Sequence, residues 1–365
     1  MIEQIGLTAK EGEQKKPILE IDEKTRAQLT ALFRGEEWNG EKFPPVFLKL
    51  FFSPHRIKEN MAEAVGFLEE ADVYAPEIFS WDEMVKRGFQ ELSNGNIFFE
   101  TGNEFNDSIN GSIYNTHKTI VFADVSEDAI ARHPEIYQPP MFNEEDLKQS
   151  SYEDAILEFN EFLNETAKSD LVRRERYIVR NFAENIKKAF SENPELKKKD
   201  GIKVLMTLGS GHSALYHLLK DIGGNHVSRN FHDHPKNSFI LETLRRVAFK
   251  KDVPLKLKER ALCEEIFRLK MEDVINNLSK KTEKNEYFYR YLVTLFSAKE
   301  MRSLFDEWSK GAGNWEKLFA SLLEQKNIVF PKNEKEMDEI LADTSYGKYQ
   351  KILKEKKQQN GSEKK

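Results

Sequence analysis

Three residues able to take part in proton transfer stand just past the carboxyl end of a strand-like run. VFLKLFF (Val46–Phe52) leads through SPH to His55, DVYAPEIF carries Glu77, and IKVLMTL (Ile202–Leu208) leads through GSGH to His212. Histidine titrates near neutrality, so it can take or give a proton, and a carboxylate nearby can orient the ring or hold positive charge. Taken singly, His55 or Glu77 is more often a hydrogen-bonded polar group at a strand end than a catalytic one. Their matched placement, expected on neighbouring strands, points to a shared site. TIVFADV (Thr119–Val125) brings Asp124 to the same edge, although SEDAIARH follows and Asp124 reads slightly better as that helix's cap.

The elements that must position these groups follow from periodicity. Val46–Phe52 is short, apolar and rich in β-formers, and Pro54 cannot continue a ladder. From Ile57 to Ala71 apolar residues recur at helical spacing, and DVYAPEIF supplies a second strand, which makes a βαβ unit with parallel strands. Ligands in such sheets bind outside the carboxyl ends of strands. Asn94–Tyr114, rich in Asn and Gly, suggests hairpins or a covering loop, whereas Ser151–Phe190 is almost wholly helical and carries Arg173, Arg174, Arg176 and Arg180. Spacing alone selects none of the four. The turn GSGH after a strand and before a helix can aim backbone N–H groups at an anion, but it lacks GK[ST] and matches no phosphate loop.

The expected fold is α/β: a mostly parallel central sheet flanked by helices, with a helical C-terminal extension. Residues 1–43 form a polar N-terminal segment, 44–237 an α/β domain, 238–349 a helical extension or cap and 350–365 a basic disordered tail. HVSRNFHDHPKNSF holds His232 and His234, an HxH pair that could ligate a metal, but no third ligand stands near and the segment reads as a surface loop. The lone Cys263 excludes an intrachain disulfide and lies on an apolar helical stripe. With 56 basic against 62 acidic residues, the charge balance argues against nucleic acid as the main partner. No apolar run approaches the roughly 18 residues of a spanning helix and the N-terminus has no signal-peptide pattern, so a cytoplasmic location is expected. The C-terminal helices are a candidate surface for a homo-oligomer.

The ordered set of SPHRIKE, with Glu59 four residues after His55, the strand-end Glu77 of DVYAPE, Asp124 of FADV, RERYIVRN and the GSGH turn resembles the erythromycin esterase/TraB/ChaN-like superfamily, which includes TIKI-type proteases. The resemblance covers roughly residues 44–235. It implies that His55 and Glu77 face each other, that Arg174 is the site's arginine within an RDRxMAxN-like pattern, and that the second GxxH falls on Gly209–His212. Phe52 replaces the first Gly of the first GxxH, Arg56 a small residue, Glu175 an Asp and Ile178 a Met. The resemblance implies hydrolysis of a small-molecule or peptide substrate carrying an ester- or amide-like bond. In that reaction His55 is general base, Glu77 orients it, Arg174 binds an anionic group or oxyanion and His212 donates to the leaving group. No cofactor is needed for this chemistry. The alternatives are one divalent metal held by His55, Glu77 and His212, and a binding protein that has kept the fold without the activity.

Overall fold

The computed structural model describes residues 20–344 apart from 39, 53–57, 100–103, 135–141, 210–211, 232–237, 280–281 and 312, together with Gly347. Helix α1 (Glu23–Arg34) starts at Asp22, whose carboxylate accepts from Thr25 N–H. An antiparallel pair follows, β1 (Glu37–Trp38) and β2 (Glu41–Lys42). Next come β3 (Val46–Phe52), α2 (Lys58–Glu70), β4 (Val73–Ala75), α3 (Glu83–Ser93), α4 (Glu104–Ile113) and β5 (Thr119–Ile120). Helices α5 (Glu127–Arg132), α6 (Glu144–Gln149), α7 (Tyr152–Thr166), α8 (Arg174–Glu192) and α9 (Pro194–Lys197) lead to β6 (Ile202–Leu208), α10 (Ser213–Gly223) and β7 (Val227–Phe231). The remainder is helical: α11 (Phe239–Ala248), α12 (Leu255–Leu278), α13 (Thr282–Thr294), α14 (Ala298–Ser309), α15 (Trp315–Gln325) and α16 (Glu334–Leu341).

Five strands form one all-parallel sheet in the order β5-β4-β6-β3-β7. Side chains alternate between its faces. Val46, Leu48, Leu50 and Phe52 of β3, with Val204 and Met206 of β6, pack on one side against Phe182 and Ile186 of α8 and Leu215 and Leu219 of α10. Phe51, Tyr74 and Leu205 face the other way, onto Ala64 and Leu68 of α2, Leu92 of α3 and Ile113 of α4. Both faces are therefore covered, which is why the strands read as continuous apolar runs.

Four expectations are corrected. Asn94–Tyr114 contains a helix, α4, because Phe105, Ile109 and Ile113 recur at helical spacing and Ile109 and Ile113 are buried. Val227–Phe231, taken as part of a surface loop, is the edge strand β7 and pairs with β3 in register from Leu48↔Val227 to Phe52↔Phe231. The strands bearing His55 and Glu77 are not neighbours, since β6 lies between β3 and β4. The third strand is also shorter than Thr119–Val125, because only Thr119 and Ile120 pair in the ladder.

That order creates a switch point. The chain leaving β4 passes through α3 and α4, on one face, towards β5, whereas the chain leaving its neighbour β6 passes through α10, on the other face, towards β7. Connections that diverge from adjacent strands open a crevice at their carboxyl ends, the usual place for a ligand in an open α/β sheet. A separate core joins Leu147 of α6 and Phe159 of α7 to Phe267, Phe288, Phe305, Trp308 and Trp315 of the C-terminal helices. Among the described residues, no helix is long and apolar enough to cross a membrane.

Candidate functional site

Glu77 follows β4 by two residues and reaches towards the end of β6. Its Oε2 accepts a hydrogen bond from Gly209 N–H, and its Oε1 accepts from Arg174 Nη2 at 3.0 Å and lies 3.2 Å from His212 Nε2. The turn expected to cradle a ligand's anion thus holds the protein's own carboxylate. Pro76 is buried and the side chain of Glu77 is only 10% exposed, so the contacts form largely out of water.

Arg174 is gripped from its other side by Asp124. Nε donates to Oδ1 at 3.0 Å and Nη2 to Oδ2 at 2.6 Å, a bidentate pair that fixes the guanidinium plane. Its Cζ also sits 5.0 Å from the centre of the Phe79 ring. Asp124 is not the cap of α5, because the Ser126 hydroxyl accepts from Ala129 N–H and serves that end. Asp124 is 2% exposed, and its Oδ1 also accepts from Val125 N–H. A π-helical turn, Ala167–Arg173, immediately precedes α8 and resets the face that the helix presents. Arg174 turns inward, while Arg173, Arg176 and Arg180 are exposed and border a cavity with Asp22 and Tyr177.

His212 is 5% exposed and lies between two carboxylates. Opposite Glu77, its Nδ1 stands 3.3 Å from Glu175 Oε1, close enough for an ion pair but not aligned as a hydrogen bond. Burial alone would depress the imidazole, but the charge of Glu77 and the contacts with Glu175 and Glu77 overcome it and push the pKa up to about 10. His212 is therefore an imidazolium at neutral pH. Burial pushes the carboxyl of Glu175, fully inaccessible to solvent, up to about 6 against the opposing pull of His212. Three carboxylates thus surround two cations.

Glu175 is the site residue that sequence reasoning missed as a functional group. It stands on the stripe Ile178, Val179, Phe182, Ala183 and Ile186, all buried. That phase was the available signal: extended one turn upstream, the apolar face of α8 arrives at Glu175 rather than at solvent. Below the cluster, the hydroxyls of Tyr74 and Thr207 are 3.0 Å apart in the sheet interior.

The structure brings Glu77, Asp124, Arg174 and His212 together at one sheet edge. His55, His232 and His234 lie outside the described residues, as does the side chain of Glu59. The strand leading to His55 ends at Phe52, in register with Leu208 of β6. Among the described residues no group of three His, Cys, Asp or Glu side chains is arranged to hold a metal ion. Half-buried His217 packs edge-on against Phe249, with ring centres 5.4 Å apart. Comparison with known proteins finds no matching family model, no matching curated protein and no matching solved structure.

Proposed function

We propose that the chain is a hydrolase of the erythromycin esterase/TraB-like type, activating water against an ester- or amide-like bond in a small molecule or peptide. The observation that supports this reading is Glu77 Oε1, shared by the Arg174 guanidinium and the His212 imidazolium at the switch point of the parallel sheet. Burial makes such charges effective, because little water screens them from a substrate in the crevice.

In this proposal water attacks the carbonyl carbon while His55 takes its proton, and His212 gives a proton to the departing alkoxide or amine. Arg174 stabilises the negative charge that develops on the carbonyl oxygen. Asp124 holds Arg174 in plane, and Glu77 and Glu175 keep His212 charged until transfer. A divalent ion is the alternative. Holding one at Glu77 and His212 would require them to give up their mutual contact and Glu77 to release Arg174. A cytoplasmic location and self-association through the helical part belong to the same proposal.

The test is a screen of ester, peptide and phosphoester substrates on purified protein, with metal content measured on the same sample. Turnover of an ester or amide that survives chelation is expected. Turnover that follows a stoichiometric metal transfers the reading to the metal-dependent alternative, and a folded protein with neither is a binding protein.

A further inference from the structure

At the amino end of the sheet, away from the carboxylate cluster, lies a half-open groove of about 380 Å³. It lies on the face covered by α2, beyond the end of that helix, where Phe47 of β3 stays 45% exposed although the rest of the strand is mostly buried. Rings of Phe47, Phe67 and His226 line it, and those of Phe47 and His226 meet at a tilt of 34° with centres 4.9 Å apart. Its size falls in the range of small-molecule sites, roughly 300–1,000 Å³.

The unusual member is Lys49. It occupies the middle of a parallel strand, where apolar β-formers are the rule, and its side chain is only half-exposed. Its ammonium makes no ion pair or hydrogen bond among the described residues; its contact is the face of Phe67, 3.5 Å to the ring centre. The acids around it are committed elsewhere or stand apart. Asp72 takes Lys199 and the Lys203 N–H, Glu63 accepts from Asn230, and Glu70 stands exposed at the rim. Lys203 also lines the groove, so its charged side chains sum to one surplus positive charge over Glu70. Ser228 is in register with Lys49 on the adjoining strand and shares its face, so a hydroxyl stands on the same wall of the groove.

We propose that this groove is a second ligand site, separate from the hydrolytic one, and that it takes a small aromatic carboxylate. The ring system lies among Phe47, Phe67 and His226, and the carboxylate pairs with Lys49 and accepts from Ser228. A partly desolvated ammonium on an apolar floor gains its full charge-assisted hydrogen bond only from an anion delivered with an apolar body. A fully hydrated inorganic anion lacks that body.

The experiment is calorimetric titration of the full chain with 1-naphthoate and with the neutral isostere 1-naphthamide. Wild type is expected to bind naphthoate at least about tenfold more tightly, the scale of one charge-assisted hydrogen bond. Lys49→Met keeps the apolar stem and should erase that preference while still binding naphthamide. Lys203→Gln, at an exposed position where water screens the charge, should leave the preference standing. Phe47→Ala should weaken both probes. Failure of wild type to bind naphthoate, equal affinity for the two probes, or a preference that persists in Lys49→Met would each overturn the proposal.

Discussion

Glu77 Oε1 is bonded to Arg174 at 3.0 Å and sits 3.2 Å from His212, and the proton on His212 follows from that position. The imidazole has a folded pKa of about 10 against an ordinary 6.5, so its contribution to stability is full below about pH 6.5 and is lost as the pH rises through 10. Glu175, raised from 4.5 to about 6, acts in the same direction at lower pH: folding favours its protonated form, and that contribution fades as the pH rises from 4.5 through 6. Wild type should therefore lose thermal stability between about pH 6.5 and 10, and His212→Gln should flatten that slope by a few °C. Thermal unfolding in a pH series reads this directly; parallel slopes for the two proteins would contradict it. Glu77 and His212 were legible in sequence because β-rich runs ending at Pro or Gly announce strand ends, whereas Asp124 read slightly better as a helix cap. Arg174 was not legible from spacing, because a π turn just upstream shifts the phase of α8, and it came instead from the resemblance. Glu175 was passed over because of its charge, although the apolar phase of α8, carried one turn upstream, arrives at it.

Helix α8 is tied to the segment carrying Asp124 by a row of side-chain amides. Asn185 donates to Phe122 O at 2.8 Å and Asn181 to Asp124 O at 3.3 Å, with Trp81 Nε1 on the same Asp124 carbonyl at 2.8 Å. Residues 174, 181 and 185 recur at seven and four, so one face of α8 holds both the arginine and the amides that set its height against the sheet edge. These bonds also satisfy carbonyls beyond β5, where the ladder stops after two residues. Asn185→Ala should leave the buried Phe122 carbonyl unpaired and cost about 1–3 kcal/mol, measured by denaturant unfolding. An unchanged midpoint would show that the amide row does not hold α8 in place. The truncation of the third strand was invisible in TIVFADV, because residues 121–125 are buried and β-rich whether a ladder or side chains satisfy their backbone.

The whole molecule contains more than one core. The sheet is packed on both faces, and a separate apolar cluster joins α6 and α7 to the C-terminal helices. Helix α12 is the centre of the latter, burying Leu257, Leu262, Cys263, Ile266 and Phe267 around its circumference. At the entrance to that body Glu264, fully buried, accepts from Ser238 Oγ and the N–H groups of Phe239 and Ile240, capping α11. Scanning calorimetry should resolve more than one transition, with Phe267→Ala, in the helical core, moving one of them by several °C. A single transition with equal calorimetric and van't Hoff enthalpies would show the cores to be one cooperative unit. The α/β class and the helical C-terminal part could be read from hydrophobic period alone. Strand order could not, because nothing in a linear sequence states that β6 inserts between β3 and β4 and so brings His212, not the strand leading to His55, alongside Glu77.

The most direct test of the hydrolytic centre is kcat/KM on a substrate found in the screen, for wild type, His55→Ala and Glu77→Gln, with thermal unfolding recorded for each. The account predicts a loss of about 10²–10⁴-fold in both variants, with His55→Ala keeping the wild-type melting temperature within a few °C. Glu77→Gln removes a charge from a buried ion pair and should also lower stability, which is why the two are measured together. Full activity in both folded variants would contradict the account and move the chemistry away from this sheet edge.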